Sequence, residues 1–280
     1  MIQNIRSVFV GLTKEIGPDE PSSAVAFGLS LAQAAEAHLT VQAAAHRAEF
    51  TVPWVSNYAA GLLQAENTRL HRLAQTIAEK AAAAAAMAGV TVTARSPQLS
   101  YADLLASFTT LARLHDLSVI DAEPEAAHLD RDLIEALLVG SGRPLLVVPP
   151  SATACRAERI VIAWDASSRA SRAVHDALPF LRAAEAVQIV AVSGEKDLPD
   201  AADGADLAPH LARHGVAVEV TCLAARDGDV AQTLRDVAAS YRADMLVMGG
   251  YVHSRLREMV FGGVTQSLLR SSPLPLLMSY

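Results

Sequence analysis

The chain has 280 residues, 51% of them hydrophobic, which is enough for one large core or two of ordinary size. Its formal charge is −7 and no run of lysine and arginine stands out, which argues against a general binder of nucleic acid or of an anionic membrane. The two cysteines are far apart, no secretory signal precedes the first apolar run, and no apolar run could span a bilayer. We therefore expect a cytoplasmic protein.

In the first half of the chain, short apolar runs alternate with segments of helical periodicity. The predicted strands are Ser7–Leu12, Leu39–Ala45, Val90–Ala94, Leu117–Ile120 and Leu145–Val148. The predicted helices are Val25–Ala37, Leu62–Met87, Tyr101–His115 and Asp130–Leu138. The segment Glu49–Ala60, which contains Pro53, is predicted to be a loop. Such alternation indicates a parallel sheet with helices on both faces.

After a predicted linker at Pro149–Thr153, the same alternation starts again. The predicted strands of the second half are Arg159–Trp164, Val187–Val192, Val216–Leu223, Met245–Met248 and Leu274–Met278. The predicted helices are Ser171–Ala184, Leu207–His214, Val230–Tyr241 and Val264–Ser271.

The second half repeats the first at the level of individual residues. The segment Asp116–Ile120 corresponds to Asp244–Met248, and Pro144 precedes its strand as Pro275 does. The two prolines lie 131 positions apart, about one domain length. We interpret the chain as a tandem duplication of one α/β domain. The predicted domains are residues 1–150 and 156–280.

Two glycine pairs flank the stretch after the strand Met245–Met248. Gly249 and Gly250 follow the strand, and Gly262 and Gly263 open the next predicted helix. Bare amide groups and the positive end of a helix dipole attract an anion, most simply a phosphate. The alternative is a surface loop that uses glycine only to turn.

These features resemble the universal stress protein family, once per half of the chain. The resemblance rests on a strand ending in Asp165, a second strand ending near Val192, and the glycine stretch after the fourth strand. It implies two tandem doubly wound, five-stranded parallel-sheet domains, Rossmann-like and adenine nucleotide alpha hydrolase-like. It also implies that they pack across their final strands as an intramolecular pseudo-dimer. A ligand would then lie at the carboxyl ends of the strands.

Nucleotide-binding members of that family carry Gly-x-x-Gly, nine residues, and then Gly-Ser or Gly-Thr. By position, Gly249 is the first motif glycine and Gly262 is the third. Asp165 matches the acidic residue that meets the base or ribose, and Val192 matches the strand end whose backbone contacts adenine. The resemblance therefore implies ATP or AMP, with Mg²⁺, as the ligand of the second half.

The sequence departs from the motif at two positions. Val252 replaces the second glycine, and a β-branched residue would be strained there if the loop needs a positive φ. Gly263 replaces the serine or threonine, which removes a hydroxyl but keeps the amide. Other donors are nearby, and Arg255 is the most suitable for phosphate because of its bidentate guanidinium. The candidate site residues are Asp165, Val192, Gly249, His253, Arg255, Gly262, Gly263, Val264 and Thr265.

The first half departs further from the motif. Thr13 stands in the place of Asp165, and three carboxylates, Asp121, Glu123 and Glu125, follow the fourth strand where glycine is expected. These charges would repel phosphate. We therefore predict that the first half has lost the nucleotide site and packs against its twin.

Other patterns in the sequence give weaker indications of chemistry. His210 and His214 lie four residues apart on one predicted helical face, but they lack the intervening glutamate of a metalloprotease motif. Ser167 or Ser168 after Asp165 is interpreted as a helix cap, because no nucleophile motif surrounds it. The sequence thus predicts no metal site and no catalytic residue.

Three functional hypotheses remain open at this stage. The first is a cytoplasmic stress-response protein that binds an adenine nucleotide in its second half without turning it over. The second is an interaction scaffold of the same fold that binds no nucleotide, self-associates and presents surfaces to an unknown protein partner. The third is a weak ATP hydrolase, in which nucleotide bound near His253 is slowly cleaved.

Overall fold

The computed structural model describes residues 2–13, 22–49, 56–122, 128–193, 204–250, 252–255 and 258–280. The first half contains β1 (Ser7–Leu12), α1 (Ser23–Ala35), β2 (His38–Ala43), β3 (Ala45–His46), α2 (Asn57–Met87), β4 (Val92–Arg95), β5 (Gln98–Leu99), α3 (Tyr101–Arg113), β6 (Leu117–Asp121), α4 (His128–Gly140) and β7 (Leu145–Val148). The second half contains β8 (Arg159–Ala163), α5 (Ser168–Leu181), β9 (Ala186–Ser193), α6 (Leu207–Arg213), β10 (Val218–Ala224), α7 (Val230–Tyr241), β11 (Met245–Gly249), β12 (Val252–Arg255), β13 (Glu258–Phe261), α8 (Gly263–Ser271) and β14 (Leu276–Ser279).

Ten of these strands form one continuous sheet, in the order β10-β9-β8-β11-β14-β7-β6-β1-β2-β4. Each half contributes five parallel strands, and within each half the spatial order is third, second, first, fourth, fifth. The halves join where their final strands β7 and β14 pair antiparallel, with Leu146 opposite Leu277. The predicted fold class, two doubly wound domains packed as a pseudo-dimer, is confirmed.

The core consists of two apolar layers, one on each face of the sheet. On one face, Val8 and Val10 of β1 belong to a layer that also contains side chains of α1, α2, α5 and α6. On the other face, Phe9 belongs to a layer that also contains side chains of α3, α4, α7 and α8. Phe9 and Phe108 meet edge to face with their ring centroids 5.8 Å apart. A strand buried on both faces must be apolar throughout, which explains why these strands are continuous apolar runs in the sequence.

Serine or aspartate side chains cap the start of five helices in the described part of the chain. In each, the side-chain oxygen accepts a hydrogen bond from the backbone N–H three residues later, and such a cap contributes about 1 kcal/mol. The capping residues are Ser22, Ser56, Ser100, Ser167 and Asp229. Ser56 starts α2 earlier than expected, so the predicted loop Glu49–Ala60 is wrong from Asn57 onward. Residues 50–55 of that loop lie outside the described residues.

The duplication extends to hydrogen bonds that hold corresponding parts of the two halves. The Asp116 carboxylate accepts a hydrogen bond from the backbone N–H of Ser7 at 2.9 Å. The corresponding Asp244 carboxylate accepts one from the backbone N–H of Arg159 at 3.2 Å. Burial raises the pKa of Asp244, while the backbone hydrogen bonds act in the opposite direction. Each aspartate thus holds the segment that leads into the first strand of its own half.

The two halves also contact each other outside the shared sheet. The Arg172 guanidinium in α5 donates to the carbonyl of Gly142, which follows α4, at 3.3 Å. Gly250 lies so close to α4 that an added Cβ would be 2.5 Å from Leu138 Cδ2. The second glycine after β11 is therefore used for packing between the halves.

Candidate functional site

Three candidate site residues lie at the ends of adjacent strands in the second half. The order β9-β8-β11 places the end of β9, with Val192, on one side of β8 and the end of β11, with Gly249, on the other. Asp165 follows the end of β8 between them. Because these strands are parallel, their carboxyl ends share one edge of the sheet. The structure therefore brings Asp165, Val192 and Gly249 to the same edge of the sheet.

Asp165 is exposed in the turn between β8 and α5. Its Oδ1 accepts a hydrogen bond from the backbone N–H of Ser167 at 3.0 Å, an arrangement typical of aspartate in turns. Ala166 between them has a φ of 57°. Ser167 caps α5 by accepting from the N–H of Ala170 at 3.1 Å, so the prediction of a helix cap at this serine pair is confirmed for Ser167. The turn thus fixes one carboxylate oxygen and presents the acidic side chain at the surface.

The side chain of Val192 is only 7% exposed, so a ligand would meet its backbone. In a parallel strand, N–H and C=O groups point alternately to the two neighbouring strands. The carbonyl of Val190 accepts from Trp164 at 2.9 Å on the β8 side, and the carbonyl of Ser193 accepts from Ala225 at 2.7 Å on the β10 side. The backbone polar groups of Val192 therefore face the β8 side, toward the turn that carries Asp165.

Gly249 is explained by packing within the protein. An added Cβ would lie 2.7 Å from the backbone nitrogen of Ala170 and 2.9 Å from the carbonyl carbon of Arg169. No side chain fits at such distances unless the backbone of the first turn of α5 moves. The sequence predicted close approach of a ligand at Gly249, but the structure places a helix there.

The segment after Gly250 forms an antiparallel pair of strands, β12 with β13. Val252 lies opposite Phe261 and Arg255 lies opposite Glu258. Valine and phenylalanine favour strands, and this hairpin replaces the predicted glycine loop. His253 and Arg255 lie in β12, where the structure describes the backbone and not the side chains.

Helix α8 begins at Gly263 directly after the hairpin. Its N-cap, Gly262, makes no side-chain hydrogen bond to the first turn, and a Cβ added at Gly263 would meet nothing within 4 Å. Gly263 is exposed and no side chain caps the first turn of α8, which leaves this end of the helix accessible to an anion. Val264 is partly buried against the core, and Thr265 is 2% exposed, so its hydroxyl is not presented at the surface.

In the first half, a carboxylate of the chain itself occupies the place that corresponds to Gly249. Asp121 ends β6, and its Oδ1 accepts from the N–H of Ala24 at 2.8 Å. Its Oδ2 accepts from the Ser22 hydroxyl, also at 2.8 Å. The sequence predicted that Asp121 would repel phosphate, but it missed this capping of α1. The correspondence of Asp121 with Gly249 in the repeat was the available signal.

A second carboxylate stands where α8 has its first glycine. Asp132 in α4 corresponds to Gly263 by the same 131-residue shift that relates the two prolines. The Tyr101 hydroxyl donates a hydrogen bond to Asp132. Burial, together with Asp132, raises the pKa of Tyr101 to about 12. Glu123 and Glu125, the other acidic residues noted in the sequence, lie outside the described residues.

The described residues give no indication of a metal site or of a membrane span. Across those ranges, no group of three or more histidine, cysteine, aspartate or glutamate side chains is arranged to hold a metal ion. His210 and His214 pack with their ring centroids 4.8 Å apart, and burial followed by the charge of His210 lowers the pKa of His214. No described helix is both long enough and apolar enough to cross a membrane.

The sheet topology defines a tandem protein of doubly wound α/β domains, in which ligands generally bind at the carboxyl ends of the strands. Residues 156–279, in the second half of the chain, match the model of the universal stress protein family. A search of curated protein sequences gave no match.

Solved structures share the fold over nearly the whole chain. A universal stress protein from Archaeoglobus fulgidus DSM 4304 aligns over 97% of this chain and 97% of its own, with 14% identity and a TM-score of 0.67. A putative universal stress protein from Pseudomonas aeruginosa UCBPP-PA14 aligns over 98% of this chain and 93% of its own, with 15% identity and a TM-score of 0.54. Identities this low show the common fold alone.

A universal stress protein solved in complex with cAMP aligns over 52% of this chain and 98% of its own. Its identity is 19% and its TM-score is 0.33, so it carries no weight for the ligand of this chain.

Proposed function

We propose that this chain is a cytoplasmic stress-response protein that binds an adenine nucleotide, ATP or AMP, in its second half. The family match falls on residues 156–279, the half that keeps Asp165 and both glycines at the start of α8. The corresponding positions of the first half carry Thr13 and the two carboxylates Asp121 and Asp132. Only the second half therefore offers a crevice without its own acidic groups at the phosphate positions.

The observation that carries this proposal is the relation of Asp165 to Val192. The backbone N–H and C=O of Val192 point toward the β8 side, and the Asp165 carboxylate stands in the turn after β8. A backbone donor and acceptor side by side can pair with the edge of an adenine ring. A carboxylate beside them can accept hydrogen bonds from ribose hydroxyls, as in other dinucleotide-binding sheets.

The phosphates would bind at the first turn of α8. Gly263 offers its amide without a side chain in front of it, and the helix dipole adds a partial positive charge. Arg255 in β12 precedes this turn in the chain and is the proposed cationic partner of the phosphates. Magnesium would be held chiefly by the phosphates and water, as is usual for nucleotide-bound Mg²⁺.

A specific observation favours the second candidate, a scaffold that binds no nucleotide. Val252 stands at the second motif glycine and begins the strand β12, so the segment is a hairpin and not a glycine-rich phosphate loop. In this case the protein acts through self-association and through an unknown protein partner. Slow ATP hydrolysis is the third candidate, and release of inorganic phosphate over time distinguishes it from both.

The test is calorimetric titration of the purified protein with ATP and magnesium, and with AMP. Mass analysis of nucleotide released on denaturation accompanies it. Two variants examine the same residue, because Asp165→Asn keeps an oxygen for the Ser167 N–H and loses the charge, whereas Asp165→Ala loses both. Thr13→Ala is the matched control in the first half, where we expect no change in affinity.

We expect binding by the wild type and a loss of about tenfold or more for both Asp165 variants, the size of one charge-assisted hydrogen bond. Equal affinities of the wild type and the Asp165 variants would contradict the site. No binding at millimolar ATP, with no nucleotide in the purified protein, would contradict the function and favour the scaffold.

A further inference from the structure

The strand β10 forms one end of the ten-stranded sheet. It pairs with β9 along all seven of its residues, and no described strand lies on its other side. Its outer edge therefore presents backbone N–H and C=O groups that the described sheet does not use. Exposed edges of this kind are sites where another strand can add.

The opposite end of the sheet is protected more fully than β10. There, β4 has four residues and ends in the charged Arg95, and the 31-residue helix α2 packs over it. Short length, charge and a covering helix are common ways to block an edge. The seven residues of β10 contain no proline, lysine or arginine.

The side chains of β10 are also poorly covered. The helix on its side, α6, has only seven residues, and Val220 in the middle of the strand is 40% exposed. Gly204 is a neighbour of Val220, since a Cβ added at Gly204 would lie 3.5 Å from Val220 Cγ1, at van der Waals distance. Glu219, Cys222 and Ala224 are exposed as well. The edge of β10 is thus open to a further strand, and Val220 lies near its centre.

We propose that β10 pairs antiparallel with β10 of a second copy of this chain, which extends the sheet across a twofold axis. The strand runs from Val218 to Ala224, so full pairing of all seven residues places the axis at its central residue, Thr221. Val220 then faces Cys222 of the second copy, and the single charged residue, Glu219, faces an apolar residue instead of its own copy. This inference rests on the self-association named for the second candidate function and not on nucleotide binding.

Charge and internal precedent both favour this occupant. Glu219 is the single charged residue of β10. Antiparallel pairing about Thr221 places it opposite Leu223 of the second copy, whereas parallel pairing would place Glu219 beside its own copy. The chain already joins two related domains by antiparallel pairing of edge strands, β7 with β14.

The first test is the mass in solution over a range from micromolar to near-millimolar protein. The chain has a mass of 29.5 kDa, and we expect twice this value at the upper end of the range. The variant Val220→Lys places a charge at the centre of the interface and should return the mass to that of one chain. Leu114→Lys is the matched control, since Leu114 is an apolar residue with 73% exposure at the end of α3.

The second test traps the proposed register with a disulfide, in a background carrying Cys222→Ser. Thr221→Cys places a cysteine opposite its own copy, at the Cα separation of about 4.5 to 5.5 Å that a disulfide accepts. Glu219→Cys is the control, because it faces Leu223 of the second copy. Mild oxidation should cross-link the Thr221 variant and not the Glu219 variant.

Each outcome has one interpretation. A single-chain mass at all concentrations overturns both the self-association and this surface, whatever the nucleotide titration gives. A dimer that persists with Val220→Lys and is not trapped by Thr221→Cys overturns this surface alone. If Val220→Lys loses its circular dichroism signal, the variant is unfolded and its mass is not used. The cross-linking of the Thr221→Cys and Glu219→Cys variants then tests the proposed surface.

Discussion

Substitution of Gly249 by alanine distinguishes a glycine required by the fold from one required by a ligand. The added methyl group would lie 2.7 Å from the nitrogen of Ala170 and 2.9 Å from the carbonyl carbon of Arg169. Both are backbone atoms in the first turn of α5, so no side-chain rotation relieves the overlap. The end of β11 must move away from α5, or the first turn of α5 must shift.

The expected cost follows from that geometry. Overpacking in a well-packed region costs about 1 to 3 kcal/mol. For a chain of this size, such a loss lowers the melting temperature by roughly 2 to 12 °C. Gly263→Ala is the matched control, because nothing lies within 4 Å of its added methyl group and its φ is not in the left-handed region. We expect the stability of that variant to stay within about 1 kcal/mol of the wild type, or to increase.

The assay combines thermal unfolding with the nucleotide titration on both variants. We expect Gly249→Ala to unfold at a lower temperature, and Gly263→Ala to keep its stability but bind nucleotide less tightly, since its methyl group enters the space before α8. If Gly249→Ala melts with the wild type, the close packing of β11 against α5 is wrong. If Gly263→Ala binds ATP as the wild type does, the phosphates do not lie against the first turn of α8.

Three further predictions concern partly buried groups away from the crevice. Burial, and secondarily Asp244, raises the pKa of Cys155 to about 12, so the folded protein keeps this thiol protonated where an unfolded chain would ionise it. The unfolding free energy should therefore fall as pH rises from about 9 to 12, by roughly 1 kcal/mol per pH unit, and Cys155→Ala should lack this decrease in denaturant titrations. A maleimide at neutral pH should label the exposed Cys222 before Cys155, and labelling in the reverse order would contradict the assigned burial. Asp116→Ala and Asp244→Ala should each lower the free energy of unfolding by about 1 to 3 kcal/mol, because each substitution removes the acceptor of backbone N–H groups. Urea unfolding measures both losses, and a loss in only one of the two variants would contradict their equivalence.

Much of the fold was predictable because it depends on local patterns. Apolar runs of strand length and helical periodicity are set by residues close in the chain, and they predicted all ten strands of the main sheet to within a few residues. The position of Pro144 relative to Pro275 predicted the duplication. The predicted boundaries were wrong where a single polar residue determines the start of a helix. Ser56 caps α2, which therefore begins before Gly61.

The candidate site was predictable only in part. Asp165 follows β8 and Val192 lies near the end of β9, so their position at one edge of the parallel sheet follows from topology. The hairpin of β12 and β13 was missed because the motif spacing predicted a loop, while the strands pair Val252 with Phe261, nine positions further along the chain. The burial of Thr265 likewise depends on which face α8 turns to the core.

The sequence by itself determined that this chain is two copies of a doubly wound α/β domain and that only the second copy keeps an acidic residue and glycines at the expected positions. Only the tertiary structure decided what those positions do. Asp121 meets Ala24 across 97 residues of chain, and Gly249 meets the first turn of α5 in the same way. Periodicity in the sequence indicates which face of a helix or strand is buried. A contact between distant residues depends instead on how whole helices and strands pack. For this reason the sequence did not show that the Asp121 carboxylate caps α1, or that α5 packs against Gly249.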